Sequence, residues 1–223
     1  TRSVSSAASD VYKRQILYTS YLNTGSSSNS YYAAIIALIG VLVGYYYTAK
    51  PIRLSSRYGL GELSIFLSFG PLLTLGTGFA IASETIILYS NEFYNLLIIG
   101  IPIGLLTTNI LFINQFPDHA SDKKVGKNHL VVLFGKKASR WIYGFNLVLA
   151  LGSLYYIAEN LLTGTKQMLF LYMLIPITMF YSYFLLSGLF KYYNSRKLIK
   201  YNIHTIYFHM LFSFIYMIIL ANF

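Results

Sequence analysis

Asn95-Leu-Leu-Ile-Ile-Gly100-Ile-Pro-Ile-Gly104-Leu-Leu-Thr-Thr-Asn109-Ile-Leu-Phe-Ile113 runs for nineteen residues without one Asp, Glu, Lys or Arg. That is close to the roughly 20 apolar residues needed to cross a bilayer core about 30 Å thick. Directly after it the chain reads Asn114-Gln-Phe-Pro-Asp118-His-Ala-Ser-Asp122-Lys-Lys-Val-Gly126-Lys127. A long apolar run thus ends abruptly on two carboxylates and three lysines.

Five more runs of the same kind lie on either side: roughly Tyr31–Tyr47, Leu63–Ser83, Trp141–Ala158, Met168–Leu189 and His204–Asn222. None carries an internal charge. Only helices and closed barrels satisfy their backbone inside lipid. Barrels are built from short alternating strands, and these runs are long and continuously apolar. The sequence therefore predicts an all-α, polytopic transmembrane helix bundle of six full helices.

The whole chain agrees. Its 223 residues are 56% hydrophobic and 11% charged, against about 25% charged in soluble domains. The net charge of +10 would suit nucleic acid in a polar chain; here the hydropathy excludes nucleic acid as the partner and makes it the lipid bilayer. Basic residues gather in alternate connections, as cytoplasmic loops do. Ala49–Glu62 holds Lys50, Arg53 and Arg57; Asn114–Arg140 holds Lys123, Lys124, Lys127, Lys136, Lys137 and Arg140; Phe190–Asn202 holds Lys191, Arg196, Lys197 and Lys200. The intervening connections hold only Lys166. The expectation is a multi-pass protein of a bacterial or archaeal plasma membrane, with both aspartates on the cytoplasmic side.

Residues 1–15 are polar, rich in Ser and Ala, and read as non-native or disordered sequence joined at Ile16. Residues 16–30 read as the remnant of a truncated helix, Ile16–Leu22, and a flexible external loop, Asn23–Ser30. Residues 31–223 form the transmembrane domain. There is no cysteine, hence no disulfide, thiolate ligand or thiol nucleophile. The four histidines, at 119, 129, 204 and 209, make no convincing metal site by spacing.

With Asp10 set aside, Asp118 and Asp122 are the only aspartates. On a helix, Asn114, Asp118 and Asp122 share one face. Such oxygen-bearing side chains suit Mg²⁺, which takes one or two carboxylates plus substrate phosphates, with Lys123, Lys124 and Lys127 placed for the remaining phosphate charge. The plain alternative is a solvated loop whose carboxylates balance lysines. The scarcity of acids elsewhere favours the first, since functional polar clusters are found at such places. Pro117 is expected to break or kink the helix just before Asp118.

The second constellation is Tyr45-Tyr-Tyr-Thr-Ala-Lys50-Pro-Ile-Arg53-Leu-Ser-Ser-Arg57-Tyr-Gly-Leu-Gly61-Glu62. Tyr45 and Tyr46 suit interfacial anchors. Lys50, Arg53 and Arg57 have the chemistry to clamp a diphosphate, and Glu62 is placed to cap the next helix.

Tyr47-Thr48, Pro51-Ile-Arg53-Leu-Ser55 and Gly59-Leu-Gly61-Glu62-Leu63, continuing into Phe69-Gly70-Pro71-Leu72, resemble the connection between the fourth and fifth helices of UbiA-superfamily intramembrane prenyltransferases. In wording they are most like the 1,4-dihydroxy-2-naphthoate polyprenyltransferases of menaquinone biosynthesis. Asn114-x3-Asp118-x3-Asp122-x3-Gly126-Lys127-x-His129-Leu-Val-Val132 is similar to that family's second aspartate-rich motif. The six helices would then be the family's fourth to ninth. The resemblance implies a Mg²⁺-dependent transfer of a polyprenyl group from an allylic polyprenyl diphosphate to an aromatic acceptor. Asp118 and Asp122 would hold the metal and, with Tyr47 and Arg53, form the catalytic set. Asn114, Lys127, Lys50 and Arg57 would contact the diphosphate, and the chain's many Tyr and Phe would shield an allylic cation. It also implies a first motif of N-x3-D-x3-D kind upstream of Thr1, without which this stretch alone would be inactive. Rival readings are another UbiA branch (quinone, haem or chlorophyll pathway), a non-catalytic lipid-binding relative, and a transporter, for which the Gly-Pro breaks at 70–71 and 101–104 leave an opening.

Overall fold

A computed structural model describes residues 27–82, 84–162 and 164–221. The expectations placed on residues 1–26, including Asp10 and Ile16–Leu22, lie outside the described residues, as do the predicted helix ends Ser83 and Asn222. Among the described residues the elements are α1 (Ser27–Thr48), a 3₁₀ turn (Leu54–Ser56), α2 (Leu60–Phe69), α3 (Pro71–Ile81), α4 (Asn91–Lys124), α5 (Leu130–Asn160), α6 (Thr165–Tyr192) and α7 (Leu198–Ala221). They contain no strand, only an isolated bridge between Arg57 and Asn128. With α2 and α3 taken together, six helical segments are long and apolar enough to cross a membrane. The predicted all-helical bundle is the observed one.

Several boundaries move, each for a physical reason. Ser27–Ser30, expected as flexible loop, is the first turn of α1. Asn29 ties it down: its amide donates to the Glu84 carbonyl at 2.8 Å and accepts from the Ile86 N–H at 3.0 Å. The single helix expected over Leu63–Ser83 is two, α2 and α3, meeting at Gly70, whose φ of −116° and ψ of −107° are not helical. Pro71 then starts α3 at a position where its missing N–H costs nothing. Gly70 faces α4 at very close range. A Cβ on Gly70 would lie 2.7 Å from the Gly100 carbonyl oxygen, and one on Gly104 would lie 2.6 Å from that of Phe66. The glycines of the opening stretch are therefore a backbone-to-backbone crossing, the small-residue packing that membrane helices use without a hydrophobic driving force.

The largest correction concerns the connection expected over Asn114–Arg140. Helix α4 runs 34 residues, through Pro102 and Pro117, and stops only at Lys124. At about 1.5 Å per residue it is far longer than a hydrocarbon core, so its end stands in the polar zone. Helicity persists through Pro117 where a break was expected. A short turn follows, and α5 begins at Leu130, with one non-helical residue at Gly135 (φ 73°, ψ 158°). A positive φ of this size is one glycine adopts without steric cost.

Two apolar clusters hold the bundle. The larger joins α4 to α7 through Phe112, Phe116, Tyr143, Leu154, Leu185 and Phe212. The smaller joins α1 and α3 through Ala33, Leu75 and Phe79, with Ile86 from the connection and Phe93 and Leu96 from the head of α4 packed against them. Hydrogen bonds across the core pin α4 to its neighbours: Asn109 donates to the Tyr143 carbonyl at 3.2 Å, Asn146 to Asn109 at 2.9 Å, and Tyr216 to the Ile99 carbonyl at 3.0 Å. At the end of the bundle formed by the start of α6 and the close of α7 lies an apolar groove of about 780 Å³, lined by Phe170, Met173, Ile177 and Ile219 among others.

Candidate functional site: a polar pocket at the aspartate end

The C-terminus of α1, the C-terminal turns of α4 and the N-terminus of α5 come to the same end of the bundle. Between α1 and α2 the chain makes a compact turn. The Arg53 N–H donates to the Ala49 carbonyl at 2.9 Å, and Arg53 itself takes a left-handed conformation (φ 46°, ψ 62°). Such backbone is sparsely populated for a side-chain-bearing residue and persists only when its surroundings enforce it. The enforcement is visible: the Arg57 guanidinium donates to the Pro51 carbonyl at 2.7 Å. The turn is joined to the segment after α4 by the Asn128 N–H, which donates to the Ser56 carbonyl at 3.1 Å.

Glu62 completes that junction. It is only 4% exposed. Its Oε1 accepts from the Gln115 side-chain amide of α4 and from the backbone N–H of Leu130, each at 3.0 Å. Sequence reasoning placed Glu62 as a cap for its own helix. Instead that helix starts on Gly59 without a side-chain cap, and Glu62 satisfies one of the free N–H groups at the head of α5, as helix starts require.

The result is a cavity of about 320 Å³ lined by Tyr47, Thr48, Arg53 and Ser55 from the first motif and by Asn114, Gln115, Asp118, Asp122, Lys127 and His129 from the second. Six of the eight residues singled out from the sequence therefore meet: Tyr47, Arg53, Asn114, Asp118, Asp122 and Lys127. Lys50 and Arg57 do not line it. Arg57 is committed to the Pro51 carbonyl, and Lys50 is exposed beside the turn.

The two aspartates differ in surroundings. Asp122 is buried, with Oδ1 2.7 Å from the Lys127 ammonium and Oδ2 3.0 Å from His129 Nε2. His129 Nδ1 accepts from the Val132 N–H at 3.4 Å, capping α5. That contact requires an unprotonated Nδ1, so the ring proton sits on Nε2 and is donated to Asp122, which fixes the tautomer. Asp118 is exposed to the cavity, and its carboxylate has no side-chain partner among the described residues. Asn114 Oδ1 accepts from Asn202 at the start of α7 at 2.9 Å, leaving the Asn114 amide N–H groups to donate.

The sequence profile of the UbiA prenyltransferase family matches residues 18–217. The chain belongs to the UbiA prenyltransferase family. Among curated relatives, it is 32% identical over 113 residues to the 1,4-dihydroxy-2-naphthoate octaprenyltransferase of Bacillus subtilis (strain 168), covering 51% of this chain and 34% of the relative. It is 34% identical over 125 residues to the 2-carboxy-1,4-naphthoquinone phytyltransferase of Synechocystis sp., covering 55% of this chain and 37% of the relative. A UbiA prenyltransferase domain-containing protein of Dictyostelium discoideum is 32% identical over 108 residues, covering 48% and 30%. The chain thus spans about a third of the length of the curated relatives it matches. No solved structure matches it. Six apolar helices in a UbiA chain make this an integral membrane protein.

Gln115 and His129, which line this UbiA pocket, and Asn202, which bonds Asn114 from outside it, were not among the site residues expected from the sequence. His129 carried a signal, being the one histidine inside the second motif; its buried contact with Asp122 is what spacing could not give. Among the described residues no trio of His, Cys, Asp or Glu gathers into a metal cage. The pocket nevertheless suits Mg²⁺ in a particular mode: an unpartnered carboxylate at Asp118, a second at Asp122, and room for phosphate oxygens to complete the shell.

Proposed function

We propose that this protein transfers a polyprenyl group from an allylic polyprenyl diphosphate to an aromatic acceptor, of the 1,4-dihydroxy-2-naphthoate class, in menaquinone biosynthesis. The observation that carries it is the convergence of Tyr47 and Arg53 with Asp118 and Asp122 in one cavity at the polar end of a lipid-embedded bundle. The names of the Bacillus and Synechocystis relatives support the naphthoate class.

Asp118 and Asp122 are the residues that would hold Mg²⁺, which when bound supplies positive charge to the departing diphosphate. Arg53 faces the same cavity and offers a fork of N–H donors that matches phosphate oxygens. Lys127 stands beside it, paired with Asp122 until an anion competes for its ammonium. The Asn114 amide is oriented by Asn202 to donate. His129 holds the Asp122 carboxylate in place. Tyr47 is the one Tyr, Phe or Trp lining the cavity among the described residues, and its ring face suits the allylic cation or the acceptor ring. The electron-rich acceptor carbon attacks the allylic carbon as the C–O bond to diphosphate breaks. In the naphthoate class the carboxyl group then leaves as CO₂ and the ring regains aromaticity. The polyprenyl tail lies along apolar helix faces, which explains the membrane setting.

The test is product formation by membranes carrying the protein, supplied with polyprenyl diphosphate, Mg²⁺ and 1,4-dihydroxy-2-naphthoate. The expected result is a prenylated, decarboxylated naphthoquinol, lost on chelation by EDTA. Prenylation of 4-hydroxybenzoate instead would move the protein to another UbiA branch. Binding of the diphosphate without product from any acceptor would leave the lipid-binding reading.

A further inference from the structure

Beyond the aspartate pocket, the same end of the bundle carries a second concentration of positive charge with no acid to meet it. After Asp122 the only acid in the chain is Glu159, which sits near the opposite end of α5. The two ion pairs recorded among the described residues both use Asp122. Arg140 on α5, Lys191 at the end of α6, and Lys197 just before α7 therefore have no carboxylate partner among the described residues, nor have the flanking Lys136, Lys137 and Arg196.

Arg140 is not loose. Its Nε donates to the Lys137 carbonyl at 3.1 Å and its Nη1 to the Phe190 carbonyl at 3.2 Å. Its guanidinium carbon lies over two rings, 4.4 Å from the Phe190 centroid and 4.3 Å from that of Tyr193. These contacts fix the fork and leave Nη2 without a bond among the described residues. Lys191 and Lys197 approach the ring of Tyr192 at 5.4 and 5.9 Å. Trp141 packs edge-on against Phe190 at 4.8 Å and is 66% exposed. Exposed Trp and Tyr at helix ends mark headgroup depth, and bases at that depth attract anionic lipid.

We infer that the junction of α5, α6 and α7 is a binding site for an anionic glycerophospholipid, with the immobilised Arg140 guanidinium meeting the phosphodiester and Lys191 and Lys197 the remaining headgroup charge. A guanidinium held in place with its Nη2 unbonded is suited to donate to a phosphate oxygen. The aromatic collar and the exposed apolar faces of α5 and α6 receive the acyl chains. The site is separate from the cavity at Asp118 and stands whether or not that cavity performs prenyl transfer.

The full chain in nanodiscs of mixed phosphatidylglycerol and phosphatidylcholine, extracted and weighed by native mass spectrometry, tests it. The expected result is preferential retention of phosphatidylglycerol, weakened about tenfold or more in Lys191→Gln/Lys197→Gln, on the scale of what two juxtamembrane bases contribute. Arg140→Gln should weaken it as well; should that variant not fold, the double lysine variant carries the test, since its side chains make only ring contacts. Equal retention of both lipids, an unchanged preference in the double variant, or displacement of the lipid by millimolar inorganic phosphate would each overturn the proposal, the last by making this a site for soluble anions.

Discussion

Two cavities among the described residues lie at opposite ends of the bundle, and they are built on opposite principles. The larger, about 780 Å³, lies between α6 and α7 and is lined mostly by Phe, Met, Leu and Ile, with Lys166 as its one charge. The smaller, about 320 Å³, collects two carboxylates, an arginine, a lysine, a histidine and two side-chain amides from three segments of chain. Size and apolarity are ordinary guides to a ligand site. In a membrane they lose force, because an apolar groove between helices is already solvated by lipid tails. Polar groups are the costly ones there, and their convergence marks where chemistry is done.

Changes at the small cavity should dwarf changes at the large one. Asp118→Asn keeps shape and removes the unpartnered carboxylate. Product formation in the prenyl-transfer assay should fall by about a thousandfold, the scale of losing a preorganised electrostatic group; full turnover would refute the site assignment. His129→Leu loses both the bond to Asp122 and the cap on Val132, and transfer should drop by about 10- to 100-fold, as when an outer-shell partner is lost. His129→Asn separates the two roles, since Asn accepts from Val132 but is too short for Asp122. Stability measured by thermal unfolding should recover while activity stays low.

The close crossing between the two ends gives a third case. Gly104→Val drives a side chain into the Phe66 carbonyl, and should destabilise the protein by about 1–3 kcal/mol through overpacking, with any loss of activity following the unfolded fraction rather than KM. At the bottom of the scale, Met173→Ala in the large groove should alter kcat/KM by about twofold at most. A Met173 variant as damaging as Asp118→Asn would reverse the contrast between the cavities.

How far these features could be read beforehand follows from what hydropathy measures. It located the six crossings found among the described residues, because an uncharged run such as 95–113 has no alternative in lipid. It misjudged the stretch after Ile113, because the pattern turns polar where the helix leaves the hydrocarbon, not where the helix ends. Asp118 and Asp122 consequently lie on the rigid last turns of α4, and the face shared with Asn114 is real. Pro117 failed to break α4 because a proline removes one backbone donor, a loss that the surrounding turns of a long helix tolerate at a polar end. The Gly70 break was hinted at by the Gly-Pro pair, but what makes it necessary is the opposing backbone at Gly100 and Gly104, which lies thirty residues on. Pocket membership of Arg53 but not Arg57 depends on a left-handed turn that no periodicity announces. Lys50 stays exposed beside the same turn. Gln115 and Asn202 have no signature at all; they matter because of the residues they touch.

Glu62 has a consequence for how the protein is made. Both groups that donate to its carboxylate, Gln115 and the Leu130 N–H, lie 53 and 68 residues further along the chain. Synthesis runs from the N-terminus, so α2 leaves the ribosome with an acid at its head and nothing yet to meet it. Until α4 is threaded and α5 has begun, that acid must stay among water and headgroups. The wall it anchors is therefore assembled late in insertion, when the second motif arrives and draws the first one in.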